Sequence, residues 1–152
     1  MKKLFLYITL SFSLLAFAQN EQLAQYYYEK GDFEKAKIGF EELLQNVPQN
    51  TQYFLRTIDC YQQLQQFDIA EKAIKERFDK YKQSNLLVEL GYNFQLRKDD
   101  AKAKVYYDQA VERIRTNPNE VYGISNSFER KVLLDYALKS YQTAIELQPS
   151  LK

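Results

Sequence analysis

Chemistry at protein sites is carried mostly by histidines, cysteines, paired carboxylates and glycine-rich phosphate cradles. This 152-residue chain is poor in all of them. It has no histidine, so the commonest general base and zinc ligand is missing. Cys60 is its single cysteine, which excludes an intramolecular disulfide, a Cys/His nucleophile pair and a paired-cysteine metal site. Two readings of Cys60 stay open: a small buried apolar residue on a helix, or one half of an intermolecular disulfide. The four glycines stand at 31, 39, 91 and 123, too scattered to cradle a phosphate. Carboxylates do pair, as Glu41-Glu42 and Asp99-Asp100. The first pair falls mid-helix on a solvated face and the second has the position of a helix cap, so neither is expected to do acid–base work. No catalytic, cofactor-binding or metal-binding residue is expected, and the chain is read as no enzyme.

The elements that would position any site are helices. Four glycines and three prolines leave little material for tight turns, while long runs of Leu, Ala, Glu, Gln and Lys favour helix. With 45% hydrophobic and 27% charged residues the chain is expected to fold, not to remain disordered. Thirteen tyrosines suit half-buried positions, where the ring packs and the hydroxyl stays wet.

The first residues read as a secretory signal peptide. Lys2 and Lys3 supply the positive end, Leu4 to Leu15 is apolar, and Ala16-Phe17-Ala18 has the small–x–small form of a cleavage site. A membrane-spanning helix needs roughly 20 apolar residues, more than this run offers before Gln19-Asn20-Glu21. No cysteine stands near the site, so a lipoprotein anchor is excluded. The mature chain is expected to start at Gln19 and to lie in the periplasm or cell envelope of a bacterium. Losing two lysines leaves it close to neutral, and charges interleave as in Glu29-Lys30 and Asp79-Lys80. No basic stripe suits a phosphate backbone, so nucleic acid is not an expected partner.

Comparing the chain with itself at a fixed offset is the most informative step. Ala36, Ala70, Ala103 and Ala137 recur at intervals of 34, 33 and 34 residues. Four residues after each stands a bulky group: Phe40, Ile74, Tyr107 and Tyr141. Nine residues before each stands an aromatic: Tyr27, Tyr61, Phe94 and Phe128. Gly31-Asp32 reads as a helix stop followed by an N-cap, and Asp99-Asp100 offers the cap without the glycine. Small residues such as Gly91 and Ala103 would let paired helices approach closely, with the aromatic four residues on filling the groove beside them. One such helix pair cannot bury its own apolar face, so cohesion must come from stacking.

These residues resemble the tetratricopeptide repeat family, a helix–turn–helix of about 34 residues with a small residue, an aromatic and the A-x₃-F signature at set places. The third copy is nearest to that pattern, with Leu87, Leu90-Gly91, Phe94, Ala103 and Tyr107. None has the family's tryptophan, and Asn20 at that place predicts a frayed or short opening helix. Lys82 and Arg115 replace the closing proline in the second and third copies. Pro118 comes three residues late, which predicts a third-repeat second helix about a turn longer. The fourth copy's turn, within Arg130 to Asp135, has neither glycine nor proline.

The resemblance implies an all-α, right-handed superhelical solenoid of about four repeats at residues 19–50, 51–83, 84–117 and 118–152, behind a signal peptide at 1–18. It also implies a scaffold that binds another protein or peptide in a concave groove lined by first helices. Projected here, that face carries Gln25, Arg56, Asp59, Tyr92, Tyr122, Asn126, Glu129 and Arg130, with Leu55, Gln62, Glu89 and Gln95 beside them. Some family members clamp a carboxylate with a Lys/Asn/Arg cluster. The matching places hold Glu21, Gln25, Arg56, Asn85 and Glu89, whose two acids argue against that mode. The last helix presents Ala137, Tyr141, Ala144 and Ile145 with no polar cap after it. That edge is expected either to close as a dimer or to continue into a larger envelope protein for which this region is the adaptor or sensor.

Overall fold

The computed structural model describes residues 19–147. Among these there are eight α-helices, a single 3-10 turn and no strand. Helix α1 covers residues 19–29, α2 Phe33–Asn46, α3 Thr51–Gln63 and α4 Phe67–Tyr81. They are followed by α5 Asn85–Leu96, α6 Asp100–Thr116, the 3-10 turn Pro118–Glu120, α7 Val121–Arg130 and α8 Leu134–Leu147. Helix α6 has 17 residues against 14 in α2 and α8, the extra turn expected from the displaced proline. Asn20, expected to leave the opening helix frayed or short, lies within α1, which is helical throughout residues 19–29.

Each repeat changes direction through the same backbone device. Gly31, Gln65, Lys98 and Val132 are left-handed, with φ of 76°, 57°, 64° and 59°, and they recur at the alanine spacing. In every copy the next N–H reaches back to the carbonyl of the conserved-register aromatic. Asp32 donates to Tyr27, Gln66 to Tyr61, Asp99 to Phe94 and Leu133 to Phe128, at 2.8–3.0 Å. The left-handed residue itself donates to the carbonyl three before it: Tyr28, Gln62, Gln95 and Glu129. This is the Schellman arrangement, which satisfies carbonyls that a helix end leaves open. Asp32 and Asp99 then cap the following helix by accepting from the N–H of Lys35 and Lys102. The glycine-free fourth turn is thereby placed at Lys131–Leu133.

The chain divides into two compact units that meet at Gln66 and Phe67. In the first, Ala24, Ala36, Phe40, Leu43, Tyr53 and Cys60 form the core. A Cβ on Gly39 would lie 2.7 Å from that of Ala24, so the absence of a side chain is what lets α1 and α2 cross there. Phe40 packs edge-on to Tyr28 and against Tyr53; burying such a ring contributes roughly 1.5–3 kcal/mol. Cys60 is fully buried. Burial, with Asp59 adding to it, pushes its thiol up to about 12, which matches the reading as a packed apolar residue.

In the second unit the core runs through Leu87, Phe94, Tyr107, Val111, Ile124 and Phe128. The tightest crossing is at Gly91, where a Cβ would stand 2.3 Å from the Tyr107 ring. Tyr107 in turn meets Phe128 edge-on at 5.6 Å and Tyr136 at 5.0 Å. Its hydroxyl donates to Gln95 Oε1 at 2.7 Å, so a buried ring keeps its polar end satisfied. Asn93 is buried and donates from Nδ2 to the Phe67 carbonyl, tying α5 to the start of α4. Arg77 departs from the repeat pattern. It is buried where the other copies have Leu43, Ala110 and Ala144, with its guanidinium 5.1 Å from the Tyr81 ring.

Candidate protein-interaction surface

In the first unit, first helices α1 and α3 flank a cleft of about 360 Å³. Gln25, Tyr26 and Glu29 line it from α1, Gln52, Tyr53 and Arg56 from α3, and Phe40 closes its floor. Helical spacing puts Gln25 and Glu29 on one face, and Gln25 Nε2 donates to Glu29 Oε1 at 2.9 Å. The Arg56 guanidinium lies 4.3 Å from the centre of the Tyr28 ring, a cation–π contact that holds it without neutralising it. The Tyr28 hydroxyl donates to Asp59 Oδ2 at 3.3 Å. Burial, then the Asp59 charge, raises its pKa. Gln25 and Arg56 are thus brought together as the groove projection expected. Asp59 is not available there: it is buried and serves as the acceptor that orients Tyr28.

The second unit holds the remaining projected residues. Tyr122, Asn126, Glu129 and Arg130 are exposed on α7, Tyr122 by 73%. Glu129 accepts from the Tyr141 hydroxyl at 3.2 Å, which joins the exposed face to α8. Tyr92 is half-buried on α5, with Lys131 Nζ 4.5 Å from its ring centre.

Several projected positions are internal. Leu55, Gln62 and Glu89 are buried, Glu89 completely. Its Oε2 is 3.0 Å from Lys131 Nζ, and its Oε1 is 4.0 Å from Arg130 Nη2. An ion pair out of water persists only with close partners of this kind. Helical projection missed it because it treats every polar side chain as a solvent-facing one. The signal was present in the run Leu86-Leu87-Val88-Glu89-Leu90-Gly91, since a helix apolar on all sides is buried on all sides. Glu41, read as solvated, is half-buried and accepts from the Tyr61 hydroxyl. Burial, followed by that bond, raises the pKa of Tyr61.

Among the described residues, no group of three or more His, Cys, Asp or Glu side chains is placed to hold a metal. No helix there is long and apolar enough to cross a membrane.

Sequential helix pairs with one turn geometry repeated at fixed spacing define a helical-repeat protein. A family profile for the tetratricopeptide repeat matches residues 20–50, the first copy. The same register is carried through all four turns, so the chain is similar to tetratricopeptide-repeat proteins along its described residues. Solved structures agree on the fold. A crystal structure of MamA superposes with a TM-score of 0.53 at 15% identity, covering 88% of this chain and 79% of that one. A second crystal structure of MamA gives 0.52 at 16% identity, over 88% and 73%. The MamA RS-1 ArsTM double mutant gives 0.50 at 16% identity, over 88% and 75%. Comparison with curated proteins finds no match.

Proposed function

We propose that this protein is a non-catalytic scaffold, exported to the periplasm or cell envelope, that holds a polypeptide on the face built by its first helices. The observation that carries the binding reading is the α1–α3 cleft. It combines three aromatic rings, amide side chains, two carboxylates and a guanidinium in one open recess. Tyrosine and arginine are the residue types that anchor protein interfaces, and amides supply adaptable hydrogen bonds to a backbone. Tyr122 and Asn126 offer the same types on α7.

Two paired variants test the reading: Gln25→Ala with Gln52→Ala, and Tyr122→Ala with Asn126→Ala. Gln52, Tyr122 and Asn126 are exposed and Gln25 is half-buried, so helicity by circular dichroism should hold. Proteins crosslinked to the wild-type chain in its own cells should be lost at least tenfold from one pair or the other. Full retention by both pairs rules the surface out. Export rests on the residue 1–18 pattern, which lies outside the described residues. It predicts a periplasmic chain beginning at Gln19. An unprocessed chain in the cytoplasm refutes it.

A further inference from the structure

We propose that the outer face of the first repeat is a seat for helix α8 of a second copy, so that chains associate head to tail. This goes beyond the groove reading and does not depend on it. The second unit shows what such a seat binds. There, α6 offers Tyr107, Ala110, Val111 and Ile114 to Val121, Ile124 and Phe128 of the following repeat. Ser140 is buried in α8 beside them. Transferring the alanine register to the first repeat, Val121, Ile124, Phe128, Tyr136 and Ser140 become Asn20, Leu23, Tyr27, Lys35 and Gly39. Those five residues, with Ile38, line one open hollow of about 230 Å³ on α1 and α2. Ile124 is 0% exposed, whereas Leu23 at the same register is 49% exposed. Ile38 is exposed too. In register it matches the repeat-to-repeat interface, and among the described residues no repeat fills it.

The matching insert is on this same chain. In the register of Tyr107, Ala110 and Val111, α8 carries Tyr141, Ala144 and Ile145. Tyr107 and Val111 are buried, while Tyr141 and Ile145 are only half-buried. Leu138 adds an exposed apolar side chain to the same helix. The internal interface has an ion pair, Asp108 to Lys139 at 3.1 Å. Its counterparts between copies are Gln142 and Ile38, so the contact loses that pair and rests on apolar burial. Seat and insert are different surfaces, and two seats cannot fill each other. Each contact therefore joins the seat of one copy to α8 of another.

Sedimentation of the chain should show a mass that climbs above the monomer as concentration rises. Ile38→Glu on the seat and Ile145→Glu on the insert should each weaken association at least tenfold. Mixed together they should form a one-to-one pair that grows no further, because each retains the surface the other lacks. Independently, Ile38→Cys mixed with Gln142→Cys should give a disulfide between chains under mild oxidation, a readout that survives if a glutamate variant fails to fold. The proposal is overturned by a wild-type mass that stays at the monomer, or by a mixture no larger than its components. A monomer that forms no mixed disulfide overturns it as well.

Discussion

The turns of the first and fourth repeats trace one path with opposite materials. In the first, Gly31 takes the left-handed conformation and Asp32 caps the next helix; both are the residue types that favour such a turn locally. In the fourth, a β-branched Val132 occupies the left-handed position, exposed by 76%, and Leu133 follows it. The residue before the turn differs as sharply. Lys30 is exposed, its ammonium 5.7 Å from the Tyr26 ring centre. Lys131 has a side chain only 6% exposed and pairs with the fully buried Glu89. The first turn is written in its own residues, while the fourth is held by contacts made elsewhere in its unit. Identical geometry therefore does not imply an identical cause.

Replacing the two lysines alike should separate those causes most widely. Lys131→Met removes an ammonium 3.0 Å from a buried carboxylate, a change that costs about 3–5 kcal/mol where a buried pair is broken. Arg130 stays near Glu89, which argues for the lower end. Lys30→Met at its exposed site should stay within about 0.5 kcal/mol. Urea unfolding midpoints of the two variants decide the matter. Equal shifts would show that the fourth turn is not held by its ion pair. Glu89→Leu added to Lys131→Met should recover most of the loss, because an apolar pair needs no desolvation.

That contrast also explains what could be read in advance. The register of small residue, aromatic and alanine was legible because close helix crossings impose it on residue types, as Gly91 against Tyr107 shows. The caps at Asp32 and Asp99 were legible because an aspartate after a helix stop has a local reason to be there. The fourth turn was not, since nothing in Lys131-Val132-Leu133 favours a turn without its long-range partners. On the candidate surface, Gln25 and Arg56 line the cleft, as helical projection places them, whereas Asp59 and Glu89 are buried. Projection knows the angle of a side chain on its helix and not what packs over it. Gln65 and Lys98 make the same point for the middle turns, both left-handed without being glycine.

The turns themselves can be exchanged for a smaller effect. A Cβ at position 31 would meet no atom within 4 Å, so the cost expected for Gly31→Val is that of the left-handed backbone at φ 76°. That cost is about 1–2 kcal/mol for a residue with a Cβ. Val132→Gly relieves the same strain but loosens the unfolded chain, which takes back about 0.4–1 kcal/mol. The expected outcome is a clear fall in melting temperature for Gly31→Val and a slight rise for Val132→Gly. A fall in both would show that Val132 contributes packing that its exposure does not suggest.

The smallest effect lies on the alkaline side and compares the aromatics whose carbonyls close the turns. The first two copies use Tyr27 and Tyr61, the last two Phe94 and Phe128. Burial and the bond to Glu41 raise the pKa of Tyr61. A proton held more tightly in the folded state stabilises it fully below the unfolded value, about 10 for tyrosine. That stabilisation is lost as pH rises above it toward the folded value, since the unfolded chain then releases the proton first. Lys75 and Lys104, raised by their bonds to Glu71 and Asp108, act in the same direction. Tyr61 is only partly shielded from solvent, so screening keeps its share modest. Urea midpoints measured from pH 8 to pH 11 should fall for the wild type and fall less steeply for Tyr61→Phe. Parallel slopes would mean that the Tyr61–Glu41 bond does not survive in solution, and that this turn owes its place to backbone bonds and ring packing alone.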